Sequence, residues 1–195
     1  GVHGFMQKGA TSFPSAVALG ATWDPALVHE VFRVVAREAR SRGSNWILGP
    51  NLDLSREPRW GRTDEMYSED PYLVSRFAVA AITGLQGNAR PFDEFHVIAT
   101  AKHFAAHGQP EAGANGGPAP VGERTLRTEY FVPFEAAIKT AKVGSVMAAY
   151  NEIDGVPGHI NPWLLQQVLR QEWGFDGVVI SDGMGVERLE SVHRV

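Results

Sequence analysis

Asp182 closes an apolar run, Gly177-Val178-Val179-Ile180-Ser181, and is followed by Gly183. A carboxylate at a strand end is held by the strand, and the small neighbour leaves room for a ligand. The residue could serve as a nucleophile or could cap the next helix, and position alone does not separate the two. Lys102-His103 follow a second apolar run, Val97-Ile98-Ala99-Thr100-Ala101. Lys brings three donors and His a donor or an acceptor, a pair suited to a ligand rich in hydroxyl groups. The competing reading is a buried ion pair with a nearby carboxylate, plus a structural His. Arg62 lies in Arg59-Trp60-Gly61-Arg62-Thr63-Asp64-Glu65. Its planar fork can hold two oxygens at once, yet Arg56, Arg59 and Arg62 could equally pair with Glu57, Asp64 and Glu69 in a surface network. Tyr150 ends a third apolar run, Ser145-Val146-Met147-Ala148-Ala149. Its hydroxyl is available there, unless the ring simply fills core. Among the tryptophans, Trp46, Trp60 and Trp173 could offer flat faces, but Trp46 and Trp173 sit at element boundaries, where packing is the ordinary role.

Other chemistries find less support. His103, His107, His159 and Glu111 have no metal-ligand spacing, so no metal is expected. The chain has no cysteine, which excludes disulfides, thiolate metal sites and a Cys nucleophile. No strand leads into a Gly-rich dinucleotide or phosphate loop, and no cofactor is expected. The net charge is -4 and no basic run appears, which argues against nucleic acid as a partner. No stretch is long and apolar enough to span a bilayer, so no membrane partner is expected. Composition does not set an oligomeric state.

The elements that position these residues alternate. Residues 25–43 carry Val28, Val31, Val34 and Val35 at helical spacing, with Gly43 as a stop. Asn45-Trp46-Ile47-Leu48-Gly49-Pro50 reads as a buried strand, and 51–70 as a long polar loop. Asp70 caps a helix that starts at Pro71 and runs to about Gln86. Residues 88–95 form a loop before the strand that ends at Lys102-His103. The Gly-, Pro- and Ala-rich residues 107–121 form an irregular loop. A helix over 123–142 should kink or break at Pro133. The strand ending at Tyr150 follows, then a short helix opened by Asn161-Pro162, then the strand ending at Asp182, and a last helix from about Gly185.

Alternation with apolar, non-alternating strands predicts an α/β fold with a parallel sheet covered by helices. Polar residues sit just after every strand: Asn51, Lys102 with His103, Tyr150 with Asn151, and Asp182. That pattern favours a (β/α)8 TIM-barrel-like fold, whose active sites are built on the C-terminal rim, over a doubly wound sheet. A full barrel takes about 250 residues. With four legible strands, residues 1–195 are expected to form a single, incomplete barrel domain.

In order, four stretches resemble glycoside hydrolase family 3. They are Asp53-Leu54-Ser55-Arg56-Glu57-Pro58-Arg59-Trp60-Gly61-Arg62 with Ser68-Glu69-Asp70-Pro71; Ala101-Lys102-His103-Phe104 with His107-Gly108; Ser145 to Asn151; and Trp173-Gly174-Phe175-Asp176 through Asp182. Phe13-Pro14 and Ala21-Thr22-Trp23-Asp24-Pro25 extend the likeness to nearly the whole chain. The resemblance implies a retaining, exo-acting β-glucosidase-type hydrolase, with Asp182 as nucleophile and Arg62, Lys102, His103 and Tyr150 lining the sugar subsite. The partner it implies is a small β-glucoside or short oligosaccharide. A β-xylosidase of the same family is the alternative, and an inactive fragment or sugar-binding module the alternative of another class. An aldolase using Lys102 as a Schiff base is a third, open on rim chemistry alone.

The family pattern is incomplete in three places. An acidic residue that binds the outermost hydroxyls is expected before Val2-His3-Gly4. The acid/base Glu is expected in a second α/β domain after the barrel. Ala114 stands where many relatives carry Arg. The N-acetylglucosaminidase branch continues Lys-His-Phe with Pro-Gly-His-Gly-Asp, and Ala105-Ala106-His107-Gly108-Gln109 departs from it. The resemblance is to bacterial enzymes, with a periplasmic or extracellular location favoured over the cytoplasm. The isolated domain is expected to be marginally stable, because an incomplete barrel leaves edge strands uncovered.

Overall fold

A computed structural model describes residues 3–87 and 92–195. Val2 and the first half of the 88–95 loop lie outside the described residues.

Four parallel strands form the sheet: β1 (Trp46–Ile47), β2 (Ile98–Phe104), β3 (Ser145–Ala148) and, last in the chain, β6 (Val178–Ser181). Their spatial order, β1-β2-β3-β6, follows the chain. A doubly wound sheet reverses its strand order at a switch point. Consecutive order with a helical crossover each time is the barrel arrangement. Registers pair Trp46 with Ile98, Thr100 with Ser145, and Ser145 with Val178. β4 (Glu152–Ile153) and β5 (Val156–Pro157) form a small antiparallel hairpin beyond β3.

Helices cover the outer face. α1 (Ala16–Gly20) is short; α2 (Pro25–Ser41) and α3 (Pro71–Gln86) pack on each other. Both begin as the sequence dictates. Asp24 accepts from Leu27 N and Asp70 from Leu73 N, each followed by a proline at the first helical position. Of the valine stripe predicted for α2, Val28, Val31 and Val35 enter the core with Ala36 and Ala39, while Val34 is only half-buried at its edge. Gly84 of α3 permits the close crossing, since a Cβ there would stand 2.5 Å from His29 O.

The helix expected over 123–142 is divided. α4 (Glu123–Thr125) runs into a π turn, Leu126–Tyr130, and then α5 (Val132–Lys139). Pro133 lies in the first turn of α5, where its missing N–H is harmless, and the widened turn ahead of it takes up the break. The helix opened by Asn161-Pro162 is a π-helical segment, Trp163–Glu172. Asn161 caps it by accepting from Leu164 N. α6 (Gly185–Arg188) follows β6. No described helix is long and apolar enough to cross a membrane.

One polar side chain fixes the N-terminal end of the sheet. Gln86, 1 % exposed, accepts from Ala99 N and Gly144 N through Oε1 and donates to Lys142 O. It ties the end of α3 to the starts of β2 and β3. With that end secured, the strands present their other ends as a rim.

Candidate active site

Lys102, His103, Tyr150 and Asp182 sit at or just beyond C-terminal strand ends, whereas Arg62 reaches the site from the long loop after β1. β2 loses regular register between Ala101 and Phe104, so Lys102 and His103 are released from strict alternation. Asn51, just past β1, bridges to Lys102, and Leu52 N donates to Lys102 O. These bonds hold the Asn51–Leu54 segment against the end of β2 and bring Asp53 beneath His103.

His103 is the centre of the site. Its Nδ1 lies 2.7 Å from Asp53 Oδ2, and both side chains are fully buried. Its Nε2 lies 3.6 Å from Asp182 Oδ2 and 3.4 Å from an Arg62 terminal nitrogen. The buried carboxylate contact weighed for the Lys-His dipeptide therefore forms, and it is made by His103.

Asp182 is partly exposed at the end of β6. The capping role is not realised: its Oδ1 accepts from Gly183 N, and the residue before α6 is Met184, which makes no side-chain cap. One carboxylate oxygen faces His103 and the other is held by the backbone. Gly183 also anchors Tyr150, whose hydroxyl donates to Gly183 O. Burial and the neighbouring Asp182 carboxylate push the Tyr150 phenol above its ordinary value.

Arg62 is separated from the surface network that engages its neighbours. Arg59 pairs with Glu57, and Arg56 with Glu129. Arg62 instead makes a two-point bond to Glu65 at 2.7 and 2.9 Å and turns its other edge to the rim. There it meets His107 Nε2 at 3.3 Å as well as His103 Nε2. The guanidinium stacks over Trp60, 4.7 Å from the ring centre, and Trp60 is fixed by donating to Asn115 Oδ1 at 2.8 Å. Burial opposes the Arg62 charge, but Glu65, Asp53 and Asp182 outweigh it and raise its pKa further. Burial likewise works against Glu65, and Arg62 with Lys102 and His103 holds it below the usual range. Lys102 is half-buried, and its charge helps hold Glu65 ionised.

The structure thus gathers Asp182, His103, Arg62 and Tyr150 around one centre, with Lys102 adjoining His103 in the chain. Trp173 is core, as expected, and Trp46 donates to the Thr100 hydroxyl. Sequence reasoning assigned no role to Asp53, Glu65 or His107. Asp53 and His107 fall in the family-like stretches, but nothing local marks them, because their partners are about fifty positions away in the chain.

His103, His107 and Asp182 hold ligand atoms within 4.8 Å of one another, a spacing that could take a metal ion. The Nε2 atoms of both imidazoles are in contact with Arg62. A cation there would have to displace a guanidinium already clamped by Glu65.

The outcome is a half-buried rim carboxylate facing an imidazole and a guanidinium on parallel strand ends, which is the class of site a barrel hydrolase presents. Residues 1–195 match the family model described as the glycosyl hydrolase family 3 N-terminal domain, and the chain belongs to that family. It is 51 % identical over 185 residues to a β-xylosidase of Formosa agariphila, covering 94 % of this chain and 26 % of that protein. A β-glucosidase structure from Erythrobacter marinus superimposes with a TM-score of 0.97 at 42 % identity, covering 100 % of this chain and 26 % of that one. A β-glucosidase from Listeria innocua in complex with glucose gives 0.93 at 39 %, covering 98 % and 26 %. The chain spans about a quarter of the length of these relatives, and its fold is the TIM-barrel-like fold of the family, present as part of a barrel.

Proposed function

We propose that this domain carries the nucleophile of a retaining, exo-acting glycoside hydrolase that releases β-linked glucose from oligosaccharides or aryl and alkyl glucosides. The single observation that carries the reading is Asp182, half-buried at a strand end and facing His103 and Arg62. One Asp182 oxygen bonds to the anomeric carbon as the bond to the leaving oxygen breaks, and water later cleaves the glycosyl ester from the same face. A second carboxyl group, about 5–5.5 Å away in such enzymes, protonates the leaving oxygen and then activates the water. We assign it to a second α/β domain, outside these residues. Arg62, His103, Lys102 and Tyr150 bind the sugar hydroxyls and hold the ring for in-line attack.

A β-xylosidase is the second reading, favoured by the 51 % identity to the Formosa protein of that name. The two differ in whether the site accepts the hydroxymethyl group of glucose.

Covalent labelling with a 2-fluoro-glucoside bearing a good leaving group tests the assignment, because such a leaving group needs little acid assistance. A sugar adduct mapped to Asp182, and absent in Asp182→Asn, is the expected result. An adduct only from the 2-fluoro-xyloside would select the second reading. No adduct from either on the full-length protein would overturn both.

A further inference from the structure

We propose that Asp53 is a positioning residue: it holds the proton of His103 on Nδ1, and so commits Nε2 to the face where Asp182 and Arg62 stand. The inference rests on the glycosidase reading for its catalytic consequence, but not for its structural content.

The geometry leaves little choice. Asp53 Oδ2 lies 2.7 Å from His103 Nδ1, with the Asp53 side chain 0 % and the His103 side chain 1 % exposed. A carboxylate accepts and does not donate, so a contact this short in a dry place puts a proton on Nδ1. Asp53 is itself held rigidly, since Asn51 Oδ1 accepts from its backbone N at 2.8 Å. Its second oxygen, Oδ1, is buried without a hydrogen-bond partner. Burial works against the ionised form of this carboxyl, yet His103, His107 and Arg62 together hold it below the usual range. A buried carboxylate with one oxygen unpartnered is costly for folding alone, and orienting an imidazole is the chemistry it performs here.

The other edge of the ring is the working edge. Nε2 is 3.6 Å from Asp182 Oδ2 and 3.4 Å from Arg62, with the His107 ring set edge-on at 4.7 Å. Were the proton on Nε2 and Nδ1 bare, the Asp53 contact would be repulsive and the ring would be free to turn. Asp53 therefore acts through His103 and touches no substrate.

The test has two readouts. Imidazole 15N NMR of the full-length protein should place a proton on His103 Nδ1 in the wild type and show that signature altered in Asp53→Asn. This measurement does not involve catalysis, so it stands even if the glycosidase reading fails. In kinetics, Asp53→Asn and His103→Gln should each lower kcat/KM by roughly 100-fold or more, the scale on which neutralising an orienting carboxylate acts. The double variant should lose little beyond the worse single one, because the two residues act as a unit. Multiplicative losses in the double variant, or a wild-type His103 bare at Nδ1, would overturn the proposal. If Asp53→Asn does not fold, the wild-type NMR result decides alone.

Discussion

His103 Nε2 and Asp182 Oδ2 stand 3.6 Å apart although their strands, β2 and β6, are separated by β3. In a flat sheet, strands once removed lie about 9–10 Å apart and their side chains stand side by side. The side chains meet here because the sheet curls toward the face they share. Curvature, a property of the whole sheet, thus sets the distance between Asp182 and His103, and the proposed nucleophile depends on anything that flattens the sheet.

Arg62→Lys keeps the charge and loses the fork. The two bonds to Glu65 cannot both be kept while the other edge meets His103 and His107. A hydrogen bond to a charged group contributes about 1.5–3 kcal/mol, so kcat/KM should fall roughly 10- to 100-fold. Steady-state kinetics on an aryl glycoside, with circular dichroism to verify folding, checks this. Unchanged kinetics would place Arg62 outside the working site.

Tyr150→Phe removes the donor to Gly183 O and leaves the ring. Gly183 follows Asp182 directly, so the turn that aims the carboxylate loses one tether. A neutral hydrogen bond contributes about 1 kcal/mol, which predicts a loss of roughly fivefold in the rate of covalent labelling at Asp182. Labelling at the wild-type rate would show that the tether is dispensable.

His107 should make stability depend on pH. Burial, aided by the neighbouring His103 and Arg62, lowers its pKa from 6.5 to about 3, while Asp53 and Asp182 oppose the shift. Between those values the unfolded chain binds a proton that the folded chain refuses, so stability rises with pH across that window. The His107 contribution is complete above pH 6.5 and is lost progressively as pH falls toward 3, at up to about 1.4 kcal/mol per pH unit. Thermal melts from pH 7 to 4 should show a shallower decline in His107→Gln than in the wild type. Parallel declines would mean that His107 is not the group responsible.

Gly84→Ala sets two effects against each other. Alanine in a helix interior is favoured over glycine by about 1 kcal/mol. The added Cβ, however, would stand 2.5 Å from His29 O and 3.1 Å from Phe32 Cβ across the α2–α3 crossing. Backbone oxygen cannot turn aside, and overpacking costs about 1–3 kcal/mol. The net effect should be a lower urea midpoint at unchanged slope. A raised midpoint would show that the helices separate at little cost.

Much of this was legible in the sequence, and the remainder was hidden for physical reasons. The starts of α2 and α3 are written locally, in Asp24-Pro25 and Asp70-Pro71, and both capping bonds form. Strand ends are marked by the polar residues that follow apolar runs, and Asp182, His103 and Tyr150 stand at such ends. The hairpin β4–β5 carries its own signal: Asp154-Gly155, both at positive φ, is a turn pair suited to a two-residue hairpin. The π segments carried none. Bonds such as Phe131 N to Leu126 O and Trp173 N to Val168 O insert one residue per turn, and side-chain periodicity blurs without breaking. Asp53 could not be read at all, because a buried carboxylate in a loop looks like any surface Asp until the chain brings His103 above it.

Because spatial neighbours in this sheet are also chain neighbours, each strand delivers its own rim group and its own following loop. Such a unit can be exchanged like a cassette. Replacing residues 107–121 with the corresponding segment of a relative would exchange His107 and Asn115, and so alter what meets Arg62 and what fixes Trp60, while leaving Asp182, His103 and Asp53 on their own cassettes. Diversity of sugar preference among relatives then requires no change in the sheet, only turnover in the loops it carries.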